Sequence, residues 1–151
     1  MHFEGAQTIW APIDRVWETL MDPNQIGPCM PGFQGVQVVD ATHFKAKVGV
    51  GIAAIKANFT MDVSMENLDP PHQATAKAHG VAPISAVDVD SRMSLTELDG
   101  GRTQLQWTAD VVVSGALAGL GARLMQSTAQ KMTGRFFTCL TQKLEAAQST
   151  G

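Results

Sequence analysis

The chain has 151 residues, 44% hydrophobic and 17% charged, with a net charge of −3, which is enough apolar side chain for one domain with a real core. No lysine or arginine cluster offers the cationic face that nucleic acid requires, so nucleic acid is excluded as a partner. The N-terminus, Met1-His2-Phe3-Glu4-Gly5, lacks a basic segment followed by an apolar one, and Cys29 and Cys139 stand far apart; both features predict a cytoplasmic protein with free thiols.

Taken in order, Phe3 to Trp10 alternates as a strand does. Pro12 suits a first helical turn. Ile13, Val16, Trp17 and Leu20 recur at helical spacing and predict a short helix ending near Asp22-Pro23. A second helical turn, Pro23 to Ile26, leads into the loop Gly27-Pro28-Cys29-Met30-Pro31-Gly32. Strands follow at Val36 to Asp40 and Phe44 to Ile52, joined by the turn Ala41-Thr42-His43.

The clearest alternation sets Phe59, Met61, Val63 and Met65 against Asn58, Thr60, Asp62, Ser64 and Glu66. That is a strand with one dry and one wet face. Asp69-Pro70-Pro71-His72 breaks it. Ala74 to Ala78 reads as a weak strand, and Ile84 to Leu98 as a long one with Val87, Val89, Met93 and Leu95 turned inward. After the turn Asp99-Gly100-Gly101, Thr103, Leu105, Trp107, Ala109, Val111 and Val113 occupy every second position.

A glycine-studded connector, Ser114 to Ala122, precedes a switch to helical spacing at Leu124, Met125, Ala129, Met132, Phe136, Leu140 and Leu144. The uncharged run Val111 to Ala122 has 12 residues, short of the roughly 20 a spanning helix needs. The order is one strand, two short helices, six strands and a long helix. Hairpin-length connections imply an antiparallel sheet. The fold class is α+β, a curved sheet gripping the last helix.

The inventory for catalysis is thin. His2, His43, His72 and His79 show no metal-ligand spacing, and no nucleophile elbow, phosphate loop or dinucleotide fingerprint occurs. No catalytic residue, metal site or tightly bound cofactor is expected. Cys29 is the one candidate nucleophile, but no lysine or arginine lies between Arg15 and Lys45 to lower its pKa; it reads as a structural residue. Cys139, in the last helix, reads as packing. Gly115, Gly119 and Gly121 follow a meander strand rather than opening a βαβ unit, which points to close packing. Asp62, Glu66, Asp88 and Asp90 read as solvated, whereas Asp110 is expected to pair with Arg92 or Arg123. Met61, Met65, Met93, Met125 and Met132 fall on inward faces and either fill a core or line an apolar pocket; the expected pocket residues are Phe59, Met61, Met93, Trp107, Leu124, Met125, Met132 and Phe136.

Several segments resemble the CoxG family of carbon monoxide dehydrogenase, within the superfamily of birch-pollen-allergen-like and START-type domains. They are Phe3, Gly5, Ala11, Pro12, Val16, Trp17 and Leu20, then Asp22-Pro23, Ile26, Cys29, Pro31 and Gly32. The most specific block runs from Gly100-Gly101 through Thr103, Leu105, Trp107, Ala109-Asp110-Val111, Val113, Gly115, Leu117-Ala118 and Leu120-Gly121 to Arg123-Leu124, with Phe136-Phe137 and Leu140 beyond it. The resemblance implies a helix-grip fold, a seven-stranded antiparallel sheet around the C-terminal helix with an apolar cavity between them. It also implies an accessory role beside a molybdenum-containing carbon monoxide dehydrogenase, with membrane recruitment and a quinone as ligand. Some members carry a C-terminal tail suited to membrane attachment, whereas this sequence stops at Gly151, and a single domain over 1–147 with a short tail over 148–151 is expected.

The leading expectation is a non-catalytic, cytoplasmic carrier of a hydrophobic small molecule, quinone or lipid-like, with peripheral contact at the inner membrane face and a molybdenum hydroxylase as partner. Two alternatives stand beside it. One is an enzyme of the cyclase or hydratase kind that relatives of this fold provide. The other is a ligand-free docking subunit for a dehydrogenase.

Overall fold

The computed structural model describes residues 1–149 of the chain. Its elements are β1 (His2–Ile9), α1 (Ile13–Leu20), α2 (Pro23–Ile26), a 3-10 turn (Gly27–Cys29), β2 (Phe33–Asp40), β3 (His43–Ile52), β4 (Ile55–Asp69), β5 (Gln73–Ala82), β6 (Ser85–Leu98), β7 (Arg102–Gly115), a second 3-10 turn (Ala118–Leu120) and α3 (Ala122–Ser149). The strands form one seven-stranded sheet in the order β1-β7-β6-β5-β4-β3-β2, antiparallel throughout. This is the α+β helix-grip fold that the strand order and the terminal helix predict. Helix α3 runs through Ser149, so the first residues of the expected tail continue the helix, and its last two lie outside the described residues.

Local chemistry accounts for the chain reversals. Asp40 Oδ1 accepts from the Thr42 backbone N–H at 2.8 Å and so stitches the β2–β3 turn. Gly100 and Gly101 take φ of +79° and +75° between β6 and β7, a conformation that costs glycine nothing. At Gly115 (φ +83°) a Cβ would strike the Ile84 carbonyl oxygen, so this glycine permits the close approach that ends β7. Strand β5 is longer than its alanine-rich sequence predicts, because a central strand is held by ladders to both β4 and β6 whatever its own propensity.

The core has two centres. One gathers Ile9, Ala11, Ile13, Val16 and Leu20 from β1, α1 and the link between them with Leu95, Leu105, Phe137, Leu140 and Leu144. The other, at the opposite end of the interior, gathers Ile52, Ala57, Phe59, Leu117 and Met125. Helix α1 presents Ile13, Val16, Thr19 and Leu20 to the first centre, as a single apolar stripe does. Thr103, fully buried, donates its hydroxyl to the Ala11 carbonyl at 2.7 Å and ties β7 to the entrance of α1.

A disulfide between Cys29 and Cys139 (Cα–Cα 5.3 Å) joins the first 3-10 turn to α3. This corrects the expectation of free thiols. The pair is 110 residues apart in sequence, and only the docking of that turn on the helix brings the two together.

Candidate functional site

The inner face of the sheet is built by register. Ala46, Met61, Gly80, Val87 and Val113 lie in one row across it, and Phe44, Val63, Ala78, Val89 and Val111 in the next. Met65, Ala76, Ser91, Ala109 and Phe3 make a third row. All belong to the face that supplies both core centres, yet apart from Gly80 none is fully buried. The helix explains this. Its backbone runs beside β1 and the two 3-10 turns over more residues than beside β4, β5 or β6. Met61, Val87 and Val113 of the first row pack against the second centre, and the other two rows leave a largely apolar inner face that is only partly buried.

The eight expected pocket residues divide along this interior. Phe59 and Met125 are buried in the second centre, with Met61 packed against it. Met93, Trp107 and Phe136 pack half-buried against the first. Met132 is half-buried between, and Leu124, at 37% exposure, turns towards solvent. The indole of Trp107 stacks on Phe137 with ring centroids 5.6 Å apart, and Phe136 meets Phe137 edge-on at 5.3 Å. Gly5, opposite Trp107 in the β1–β7 ladder, leaves room for that indole; a Cβ there would sit 3.0 Å from its ring. Trp107 Nε1 is buried and has no hydrogen-bond partner among the described residues. Gly5 and Phe137 were not among the expected pocket residues, because neither has chemistry that a strand or helix pattern singles out.

The three inward rows carry no ionisable side chain. The charged groups are on the outer face, where two open grooves lie. One, of about 930 Å³, is lined by Glu4, Ala6, Thr75, Arg92, Gln106 and Thr108 among others. The second, of about 600 Å³, is lined by His43, Asp62, Lys77, His79, Asp88 and Asp90 among others. Sequence alternation marks this face only as solvated, since a groove comes from twist rather than residue type.

Polar contacts cross the outer face from strand to strand: a hydrogen bond between His79 Nδ1 and Asp88 at 2.6 Å and an ion pair between Lys77 and Glu66 at 3.5 Å. Asp110 pairs with His2 Nδ1 at 2.7 Å, which replaces the expected partners Arg92 and Arg123, because β1 lies beside β7 and places His2 directly across from it. The hydrogen bond to Asp110, and then that to Glu4, raise the His2 pKa above its ordinary value. At the β2–β3 turn the Thr42 backbone N–H, and then His43, hold the Asp40 carboxyl down to about 2. Among the described residues no group of three or more histidines, cysteines and carboxylates could hold a metal ion, and no helix is long and apolar enough to cross a membrane.

The family model for the CoxG component of carbon monoxide dehydrogenase matches residues 5–145. The chain belongs to the CoxG family. No curated protein matches this CoxG chain. Among solved structures, a conserved protein from Geobacillus kaustophilus is 23% identical, with 97% of each chain covered and a TM-score of 0.90. The Zhui aromatase/cyclase from Streptomyces sp. R1128 is 21% identical over 96% of this chain and 93% of its own, with a TM-score of 0.71. A START superfamily protein from Mycobacterium smegmatis is 14% identical over 97% and 98%, with a TM-score of 0.73. These likenesses establish that the CoxG chain shares the START-type fold.

Proposed function

We propose that this CoxG family member is a non-catalytic carrier that holds a hydrophobic small molecule, a quinone or a lipid-like compound, between the sheet and α3. In this reading it serves a carbon monoxide dehydrogenase-type molybdenum oxidoreductase from the cytoplasm, with peripheral contact at the inner membrane face. The observation that supports the proposal is the half-buried apolar inner face of the sheet, whose three rows carry no ionisable group. An apolar chain laid on it gains about 25 cal/mol for each Å² removed from water, less the cost of ordering the ligand.

The enzymatic alternative draws on the aromatase/cyclase among the structural neighbours. It requires an acid or base facing the interior, which the three inward rows do not supply.

Purified protein is extracted with organic solvent and the extract analysed by mass spectrometry, alongside direct titration with decylubiquinone. Co-purifying quinone or lipid, or saturable binding of decylubiquinone, is the expected result. An empty extract together with no binding would sink the carrier reading and favour a ligand-free docking subunit.

A further inference from the structure

The Cys29–Cys139 disulfide does more than join distant parts of the chain; its position bears on the interior. Cys139 follows Phe136 by three residues and Met132 by seven, a spacing that puts all three on one face of α3. Cys29 is 4% exposed and closes the 3-10 turn that lies against α3. The segment from Asp22 to Phe33 therefore lies beside the same helix face that borders the interior at Met132 and Phe136.

Other ties between this segment and α3 are few. Lys143 Nζ donates to the Gln25 carbonyl at 2.6 Å in an exposed bond, and Ile26 packs against the first core centre. The segment's other backbone bonds are internal or run to α1 and β3, not to α3: Asp22 N–H to Thr19, Met30 N–H to Gly27, Phe33 N–H to Met30, and Gly49 N–H to Gly32. One exposed hydrogen bond and one half-buried isoleucine hold the segment to α3 only weakly. The disulfide adds a covalent tie between the two.

We propose that the Cys29–Cys139 pair is a redox latch: closed, it pins the Asp22–Phe33 segment along α3 and retains what the interior holds; open, it releases the segment and lets the contents exchange. The retention half of this proposal rests on the carrier reading, whereas the latch itself does not. Opening is thiol–disulfide exchange with a low-molecular-weight thiol. A thiolate attacks the sulfur of Cys139, whose residue is the less buried of the two, and Cys29 leaves as thiolate and is protonated. A second small thiol displaces the first from Cys139, so two protein thiols and one small disulfide result. Closing reverses these steps, with the small disulfide taking up two electrons and two protons.

The test uses the full chain, oxidised with glutathione disulfide or reduced with dithiothreitol, followed by amide hydrogen exchange. Residues 22–33 are expected to exchange at least tenfold faster after reduction, while β6 and β7 stay unchanged. The double variant Cys29→Ser/Cys139→Ser should match the reduced protein in both buffers. Unchanged exchange over 22–33, equal acceleration in β6 and β7, or thiols that stay free under glutathione disulfide would each overturn the latch. With decylubiquinone preloaded, release should be several-fold faster from the reduced protein, and equal release rates would overturn the retention half. If decylubiquinone binds neither form, the quinone reading fails and the exchange data alone judge the latch.

Discussion

The two halves of α3 carry similar apolar spacing but meet different surroundings. In the C-terminal half Leu140 and Leu144 are fully buried and Phe137 nearly so. Lys143 and Glu145 add bonds to Gln25 and to the Trp10 backbone N–H. In the N-terminal half Met125 is buried, Ala129 and Met132 are half-buried, and Leu124 is exposed. The difference is α1, which fills the space between sheet and helix at one end only. An amphipathic stripe states which side of a helix avoids water; whether that side is packed or merely sheltered depends on what else arrives there.

The sharpest way to break this contrast is truncation in each half. Leu140→Ala removes fully buried side chain and should cost about 2–5 kcal/mol in urea unfolding, whereas Met132→Ala should cost about 1 kcal/mol or less, because that side chain is only half-buried. Equal losses would mean that the interior is uniformly packed. Next in size, Thr103→Val keeps the shape but leaves the Ala11 carbonyl without its buried donor, and should cost about 1–3 kcal/mol by the same measurement.

Ala109→Leu adds bulk to the partly buried inner face. It should leave stability within about 1 kcal/mol while weakening decylubiquinone binding at least tenfold. Binding that survives unchanged would place the ligand elsewhere.

The smallest effect is electrostatic. The His2 pKa is raised, so the pair with Asp110 stabilises the β1–β7 edge fully below the unfolded value near 6.5 and loses that contribution as pH rises through the folded value. For Asp40 the sign is opposite: its contribution is present above the ordinary carboxylate value of 3.8 and fades as pH falls through about 2. An NMR titration of the His2 ring should give a pKa above 6.5 that falls back in Asp110→Asn; no change in that variant would remove Asp110 as the cause.

Much of the architecture was legible before any coordinates. The Phe59–Met65 alternation located the inner face of β4, and the spacing of Met125, Phe136, Leu140 and Leu144 located the gripping face of α3. Sequence periodicity works there because one-sided burial imposes it residue by residue. It was silent on the stack of Trp107 with Phe137 over Gly5, since each partner belongs to a different element. It misassigned Asp110, because the closing of β1 onto β7 brings His2 rather than an arginine.

By itself, then, the sequence determined the order of elements, the side of each that is apolar and the absence of charge along the inner rows, all properties of spacing along one chain. Only the tertiary structure decided that Cys29 meets Cys139, that the outer face folds into two open grooves and that the core gathers at two ends with a partly buried apolar face between them. Those outcomes depend on the twist of the sheet and on where α1 and α3 come to rest. They are set by distances in space between residues that the chain keeps far apart.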